Sequence, residues 1–196
     1  LARLSGRIVL SLVDPRELLA LKHSLGALPE IHAQLTPMDS ALLAEARTSW
    51  DEGRDLYEFI EQAIQPDAPH LVRDGGIIRD GYHAGVDELR KASQEGKGWI
   101  AGLEARERER TGIESLKVRY NQVFGYYIEI TKANLARVPA DYVRKQTLVN
   151  AERFMTPELK ELEERVTGAE GKLLALEADL FAQVRERLAK NAPRLD

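Results

Sequence analysis

Apolar residues recur along this chain at two different periods. Leu18, Leu19, Leu21 and Leu25, and later Leu56, Phe59, Ile60 and Ile64, fall at the three- and four-residue steps that place side chains on one side of a helix. Asp14-Pro15 supplies a cap followed by a first-turn proline, and Asp39-Ser40 stands before a further apolar-periodic run. From His83 to about Arg110 the spacing predicts one long helix with Val86, Leu89, Trp99, Ile100 and Leu103 on one side. Gly96, Gly98 and Gly102 each cost such a helix about 1 kcal/mol relative to alanine, so it is expected to lean on a neighbour and to be able to flex there. After the start signal Thr156-Pro157-Glu158, Leu159, Leu162, Val166, Ala169, Leu173, Leu176 and Leu180 form a heptad seam, which Val184 and Leu188 prolong. A helix from about Pro157 to about Lys190 would be roughly 50 Å long. Gly168 and Gly171 permit close helix approach or local bending, and the pattern does not choose between them.

Between these two long patterns the period drops to two. Leu116, Val118 and Tyr120 alternate with Lys117, Arg119 and Asn121, and Tyr126, Ile128 and Ile130 alternate with Tyr127, Glu129 and Thr131, so each run reads as a strand with one apolar face. Gln122 to Gly125 connects them, and Tyr142 to Arg153 forms a third region of the same island. The expected fold is mainly α with a small inserted antiparallel β-sheet. It divides into a helical part over 1–109, a β-rich insertion over 110–156 and a long returning helix over 157–196. One long helix out, a sheet and one long helix back make a lever with a tip.

Charge follows the same division. Ser115 to Arg153 holds seven Lys/Arg and three Asp/Glu, a net of +4, whereas the whole chain carries −4, so the remainder sums to −8. A basic sheet within acidic helices suggests a contact device for a polyanion. The turn Gln122–Gly125 is expected to expose backbone amides to an anion, with Gly125 in a backbone geometry other residues avoid. Arg144, Lys145, Gln146, Thr147, Asn150 and Arg153 suit hydrogen bonding to phosphate oxygens, which positions a protein on a duplex without reading its sequence. Against these stand plainer roles: packing for Tyr126 and Tyr127, and sheet-to-helix salt bridges for Glu152 and Arg153. The run Glu104 to Arg110 reads first as a solvated helix face with internal ion pairs, and phosphate contact by Arg108 or Arg110 is the alternative.

Other chemistries find little support. The stretch Leu71 to Gly81, with its Asp-Gly pairs, lacks both the Lys-Ser/Thr of a phosphate cradle and the alternating oxygen ligands of a calcium loop, and reads as a connector. His23, His32, His70 and His83 are scattered without ligand spacing, and no nucleophile–base motif occurs, so no independent catalysis is expected. There is no cysteine. Apolar runs fall far short of the roughly 20 residues that cross a bilayer, and no secretory leader is recognised, so an intracellular protein is expected. Leu1 lies in a helical run without an initiator Met, which suggests a piece of something longer.

Val123-Phe-Gly-Tyr-Tyr-Ile-Glu-Ile-Thr-Lys132, Arg144-Lys-Gln-Thr-Leu-Val-Asn-Ala-Glu-Arg-Phe154 and Thr156-Pro-Glu-Leu-Lys160 closely resemble the clamp region of the bacterial MutS DNA mismatch-repair proteins. The likeness continues through Leu71-Val-Arg-Asp-Gly-Gly76, Arg106-Glu-Arg-Glu-Arg-Thr-Gly112 and Ala2-Arg-Leu, and so covers essentially the whole chain. The resemblance implies a piece of the core (lever) domain with its inserted clamp, which closes over duplex DNA and is joined by the lever to an ATPase. By that likeness Asn121, Gln122, Val123, Phe124 and Gly125 match the clamp loop near the DNA backbone, and Val149, Asn150 and Arg153 match a second contact strip. Val149 stands where some relatives carry Lys, which leaves Asn150 as the better contact. The family's Phe-x-Glu mismatch-reading element and its glycine-rich ATP-binding loop are not identified here. No cofactor is therefore expected in this segment, ATP and Mg belonging to the parent protein's ATPase domain. The likeness further implies a homodimeric parent, a MutL-type repair partner and a place in the bacterial cytoplasm at the nucleoid. The competing expectation is a coiled-coil interaction arm that does not touch DNA.

Overall fold

The computed structural model describes residues 1–35, 37, 40–48 and 50–195. Seven α-helices occur among them: α1 (Ala2–Val9), α2 (Pro15–Gly26), α3 (Leu28–Leu35), α4 (Ala41–Thr48), α5 (Arg54–Ala63), α6 (Ala84–Thr111) and α7 (Pro157–Lys190). Four strands stand between the last two: β1 (Lys117–Asn121), β2 (Gly125–Thr131), β3 (Val143–Thr147) and β4 (Ala151–Met155). The fold is mainly α with one small antiparallel sheet. The chain packs as two compact units, residues 1–87 with 173–196, and residues 88–172, so α6 and α7 each contribute to both.

In the first unit α2 begins as its sequence directs. Asp14 accepts the Glu17 N–H at 2.9 Å, Glu17 accepts the Asp14 N–H at 3.1 Å, and Pro15 fills the first turn. The start signal at Asp39-Ser40 falls partly outside the described residues. Leu18, Leu21 and Leu25 are buried with Leu56, Phe59, Ile60 and Ile64, and Phe181, Val184 and Leu188 of α7 complete this core. Each such side chain contributes about 1.5–3 kcal/mol when removed from water.

Leu71 to Gly81 does more than connect. Val72–Asp74 makes one 3₁₀ turn, Ile78 bridges Ile64, and both Ile77 and Ile78 lie fully in the core. Glu177 of α7 is completely buried beneath them and accepts the N–H groups of Gly76 (2.7 Å) and Ile78 (3.4 Å). These backbone donors hold the chain's own carboxylate. A buried charge needs such donors, since leaving it unpaired is costly.

In the second unit α6 turns Ser93, Gly96, Ile100, Leu103 and Glu107 inward, at steps of three and four, while α7 contributes Leu159, Leu162, Val166 and Ala169. The methyl Cγ2 of Val166 occupies the place a Cβ on Gly96 would take, so this glycine permits close helix approach. Gly168 and Gly171 face open space and serve no such contact. Trp99 departs from expectation. It is 49 % exposed because the inward register passes through positions 96 and 100 and leaves 99 on the flank, where Arg165 lies 5.9 Å from its ring centre.

The strands run in the order β1-β2-β4-β3, each antiparallel to its neighbour. Ile128, Ile130 and Phe154 pack with Ile100, Leu103, Leu159, Leu162 and Val166. The Glu104–Arg110 run is a solvated face only in part: Ala105, Arg106, Glu109 and Arg110 are exposed, but other members turn to the sheet. Glu104 accepts the Val118 N–H at 2.8 Å and Arg108 donates to the Leu116 carbonyl at 2.7 Å, so it stitches helix to sheet while keeping the Arg108–Glu104 and Arg110–Glu107 ion pairs.

Candidate nucleic-acid interface

Strand order decides where the candidate residues stand. Asn121 pairs with Gly125 at one end of the sheet, and Thr131 pairs with Ala151 at the other, beside the 148–150 turn. Six steps of β2 separate the ends, about 20 Å at the rise of an extended strand. Asn121–Gly125, the expected clamp loop, and Val149–Asn150, of the expected second contact strip, therefore occupy opposite ends of the sheet.

The first turn is not an amide cradle. Asn121 Oδ1 accepts the N–H groups of Val123 (2.8 Å) and Phe124 (3.3 Å), and the Tyr126 N–H donates to Glu163 at 3.0 Å. What this turn presents outward is the exposed Gln122 amide with Val123, 81 % exposed, and Phe124. Below it Tyr120 and Tyr126 pack ring against ring, with centroids 4.9 Å apart. Burial raises the Tyr126 hydroxyl above its usual pKa.

The second turn is a tight reversal closed by Leu148 N–H to the Ala151 carbonyl at 2.9 Å. Val149, 84 % exposed, forms its crest. Asn150 is exposed, and its carbonyl accepts the Lys132 N–H at 3.1 Å. The exposed Lys132 thus belongs beside this turn although it lies far away in sequence; the pairing of Thr131 with Ala151 is what brings it there.

The four cations and amides between the turns differ sharply. Arg153 side-chain atoms are only 19 % exposed: its guanidinium lies 4.2 Å from the Tyr127 ring centre, 3.6 Å from Glu129 and donates to Gln146 at 2.8 Å. Tyr127, placed by alternation on the polar face, is buried under it. The plainer reading of both tyrosines as packing groups fits this arrangement, whereas the ion pairs of Arg153 and Glu152, to Glu129 and Arg144, lie within the sheet and do not join sheet to helix as expected. Arg144 is exposed but paired with Glu152 at 3.2 Å. Lys145 is the extra residue of a bulge where the β3–β4 register shifts between Arg144 and Gln146, and it makes no ion pair among the described residues. Bulges re-aim side chains, and this one leaves an ammonium in solvent.

Tyr142 anchors the edge of this region. Its hydroxyl donates to the buried Glu107 at 2.6 Å, Arg110 lies over its ring at 5.5 Å, and Arg110 also pairs with Asp141 at 3.1 Å. Burial first, and the bond to Glu107 second, push the Tyr142 pKa well above the ordinary phenol value.

Residues 81–172, which include every strand and both turns, match the family model described as MutS family domain IV. The DNA mismatch repair protein MutS of Symbiobacterium thermophilum is 51 % identical over 195 residues, and those of Caldanaerobacter subterraneus subsp. tengcongensis and Alkaliphilus metalliredigens are each 50 % identical. In all three cases the whole chain aligns, and it spans 22 % of the relative's length.

The chain belongs to the MutS family.

Within this MutS segment no group of three His, Cys, Asp or Glu among the described residues is placed to hold a metal ion, and no helix is long and apolar enough to cross a membrane. Phe59-Ile60-Glu61 does spell Phe-x-Glu. Phe59 is nevertheless buried against Arg187, and the half-buried Glu61 is gripped by Lys22 and Arg79, each at 2.6 Å, so both side chains are engaged within the packing around α5.

Proposed function

We propose that this segment is a non-catalytic DNA-gripping part of a MutS-type mismatch-repair protein, which holds duplex DNA by its backbone without reading sequence. The observation that carries this reading is the pair of protruding hairpin turns on a sheet of net charge +4, inside the stretch that matches MutS domain IV. Phosphate contact would come from Lys145 and Asn150, with Lys132 beside Asn150 and Arg144 able to leave Glu152. Gln122 would supply an amide to the backbone at the other end, with Val123 and Phe124 in apolar contact with sugars and Gly125 setting the bend. Val149 would crest the second turn, and Arg153 would hold the sheet that bears it. Two contacts about 20 Å apart suit an elongated polyanion better than a small anion.

In this reading 110–156 acts as the clamp, while 1–109 and 157–196 act as the lever that carries movement from an ATPase domain, where ATP and Mg would be bound. Domain IV is not that ATPase domain. The parent would act as a homodimer with a MutL-type partner in the bacterial cytoplasm, at the nucleoid. An effector there can alter DNA affinity only by favouring one of two arrangements with different affinities.

The test is duplex binding by the full chain at low and moderate salt, beside a variant with Lys132, Lys145 and Asn150 changed to alanine. Binding that ignores sequence, falls with salt and is lost in the variant is the expected result. Salt-independent capture of a protein partner with no duplex binding would instead favour an interaction arm.

A further inference from the structure

Glu163 stands at the root of the first turn and belongs to neither hairpin. Its carboxylate, on the second turn of α7, accepts the Tyr126 N–H at 3.0 Å, directly after Gly125. Gly125 has φ +73°, a left-handed conformation costly for any residue with a Cβ, and a Cβ there would fall on the Glu163 carboxylate. The turn is thus held from two sides. Asn121 ties Val123 and Phe124 from within, and Glu163 ties Tyr126 from the helix. Glu163 makes no ion pair among the described residues, so no neighbouring cation fixes its carboxylate.

We propose that Glu163 is the positioning residue of the 122–124 turn, transmitting displacement of α7 directly to it. Resting on the reading of that turn as a DNA contact, this makes Gly125 the complement of Glu163: the missing side chain opens the seat in which the carboxylate reaches the backbone. A carboxylate behind the turn also repels phosphate from that side and leaves the Gln122 side as the approach.

The test combines amide hydrogen exchange of the full chain without DNA and binding of a labelled DNA duplex at low salt, for Glu163→Ala, Glu163→Gln and Gln122→Ala, with exchange also followed in Gly125→Ala alone and combined with Glu163→Ala. Glu163→Ala is expected to speed exchange at Tyr126 by about tenfold, the equivalent of one lost hydrogen bond, and to weaken duplex binding several-fold. Glu163→Gln keeps an acceptor and is expected to restore both, with binding equal to or tighter than the original because a negative charge is gone. Gly125→Ala is expected to accelerate exchange less in the Glu163→Ala background than alone, since the collision is then relieved. Unchanged exchange at Tyr126 in Glu163→Ala overturns the positioning role whatever the DNA result. Faster exchange with unchanged binding, when Gln122→Ala does weaken binding, overturns transmission to DNA while leaving the turn a DNA contact. If neither substitution alters duplex binding, the DNA reading of this turn fails, and the transmission with it.

Discussion

The two hairpins carry turns of similar makeup, an asparagine near a highly exposed valine, yet they are anchored differently. The β1–β2 hairpin gives backbone N–H groups to carboxylates of both long helices, Val118 to Glu104 and Tyr126 to Glu163. The β3–β4 hairpin closes its turn with backbone bonds alone and meets α6 through side chains, Tyr142 to Glu107 and Arg110 to Asp141. The first turn is therefore coupled to helix position through its main chain, while the main chain of the second is tied to its own hairpin and to Lys132 just after β2. Similar exposure at a loop crest says little about what holds the loop.

Stability measurements on substitutions in the two hairpins sharpen that contrast. Gly125→Ala is expected to cost about 2–3 kcal/mol, from a left-handed φ and the lost Glu163–Tyr126 bond, whereas Asn150→Ala should stay within about 0.5 kcal/mol. Urea midpoints of the two variants check this, and equal losses would erase the distinction. Arg153→Ala comes next, at about 2 kcal/mol, because it uncovers Tyr127 and removes partners from Glu129 and Gln146. That loss should appear in urea melts without DNA.

Tyr142→Phe is expected to cost about 1 kcal/mol at pH 8 by removing the bond to Glu107. Because the folded state raises the Tyr142 pKa, its contribution is complete below the ordinary phenol value of about 10 and is lost as pH climbs beyond it. Urea midpoints between pH 8 and pH 11 should thus fall more steeply in the parent chain than in Tyr142→Phe. Lys145→Ala should have the smallest effect on stability, within about 0.5 kcal/mol. Its signature lies in duplex binding, where the slope of log affinity against log salt should shrink by about 0.9. A slope unchanged by Lys145→Ala but reduced by Arg153→Ala would reverse the roles given to the two cations.

Much of this was legible in the residues. Heptad spacing located α7 over Pro157–Lys190, and the α6 bounds differ by one residue from those expected at each end. Alternation found β1 and β2 and their turn. Pattern does not carry strand order, and it is the placement of β4 beside β2 that separates the two turns. Nor does residue type reveal a partner: Arg153 and Lys145 are both cations in a basic stretch, and only the fold seats one over Tyr127 and leaves the other on a bulge. Glu177 was hidden for the same reason, as one polar residue in an apolar stripe whose amide donors come from a loop 101 positions away.

That separation bears on how the chain is made. The first unit is discontinuous, since its core needs Phe181, Val184 and Leu188, while residues 88–172 form a continuous stretch. During synthesis the early helices emerge with an uncovered apolar face that waits for the last strip of α7. Folding of the intervening stretch shortens the loop that must close between Gly76 and Glu177 and so lowers its entropic cost. The nascent chain should accordingly complete its middle before its beginning, with the interval between the two as its window of exposure to aggregation and to chaperones.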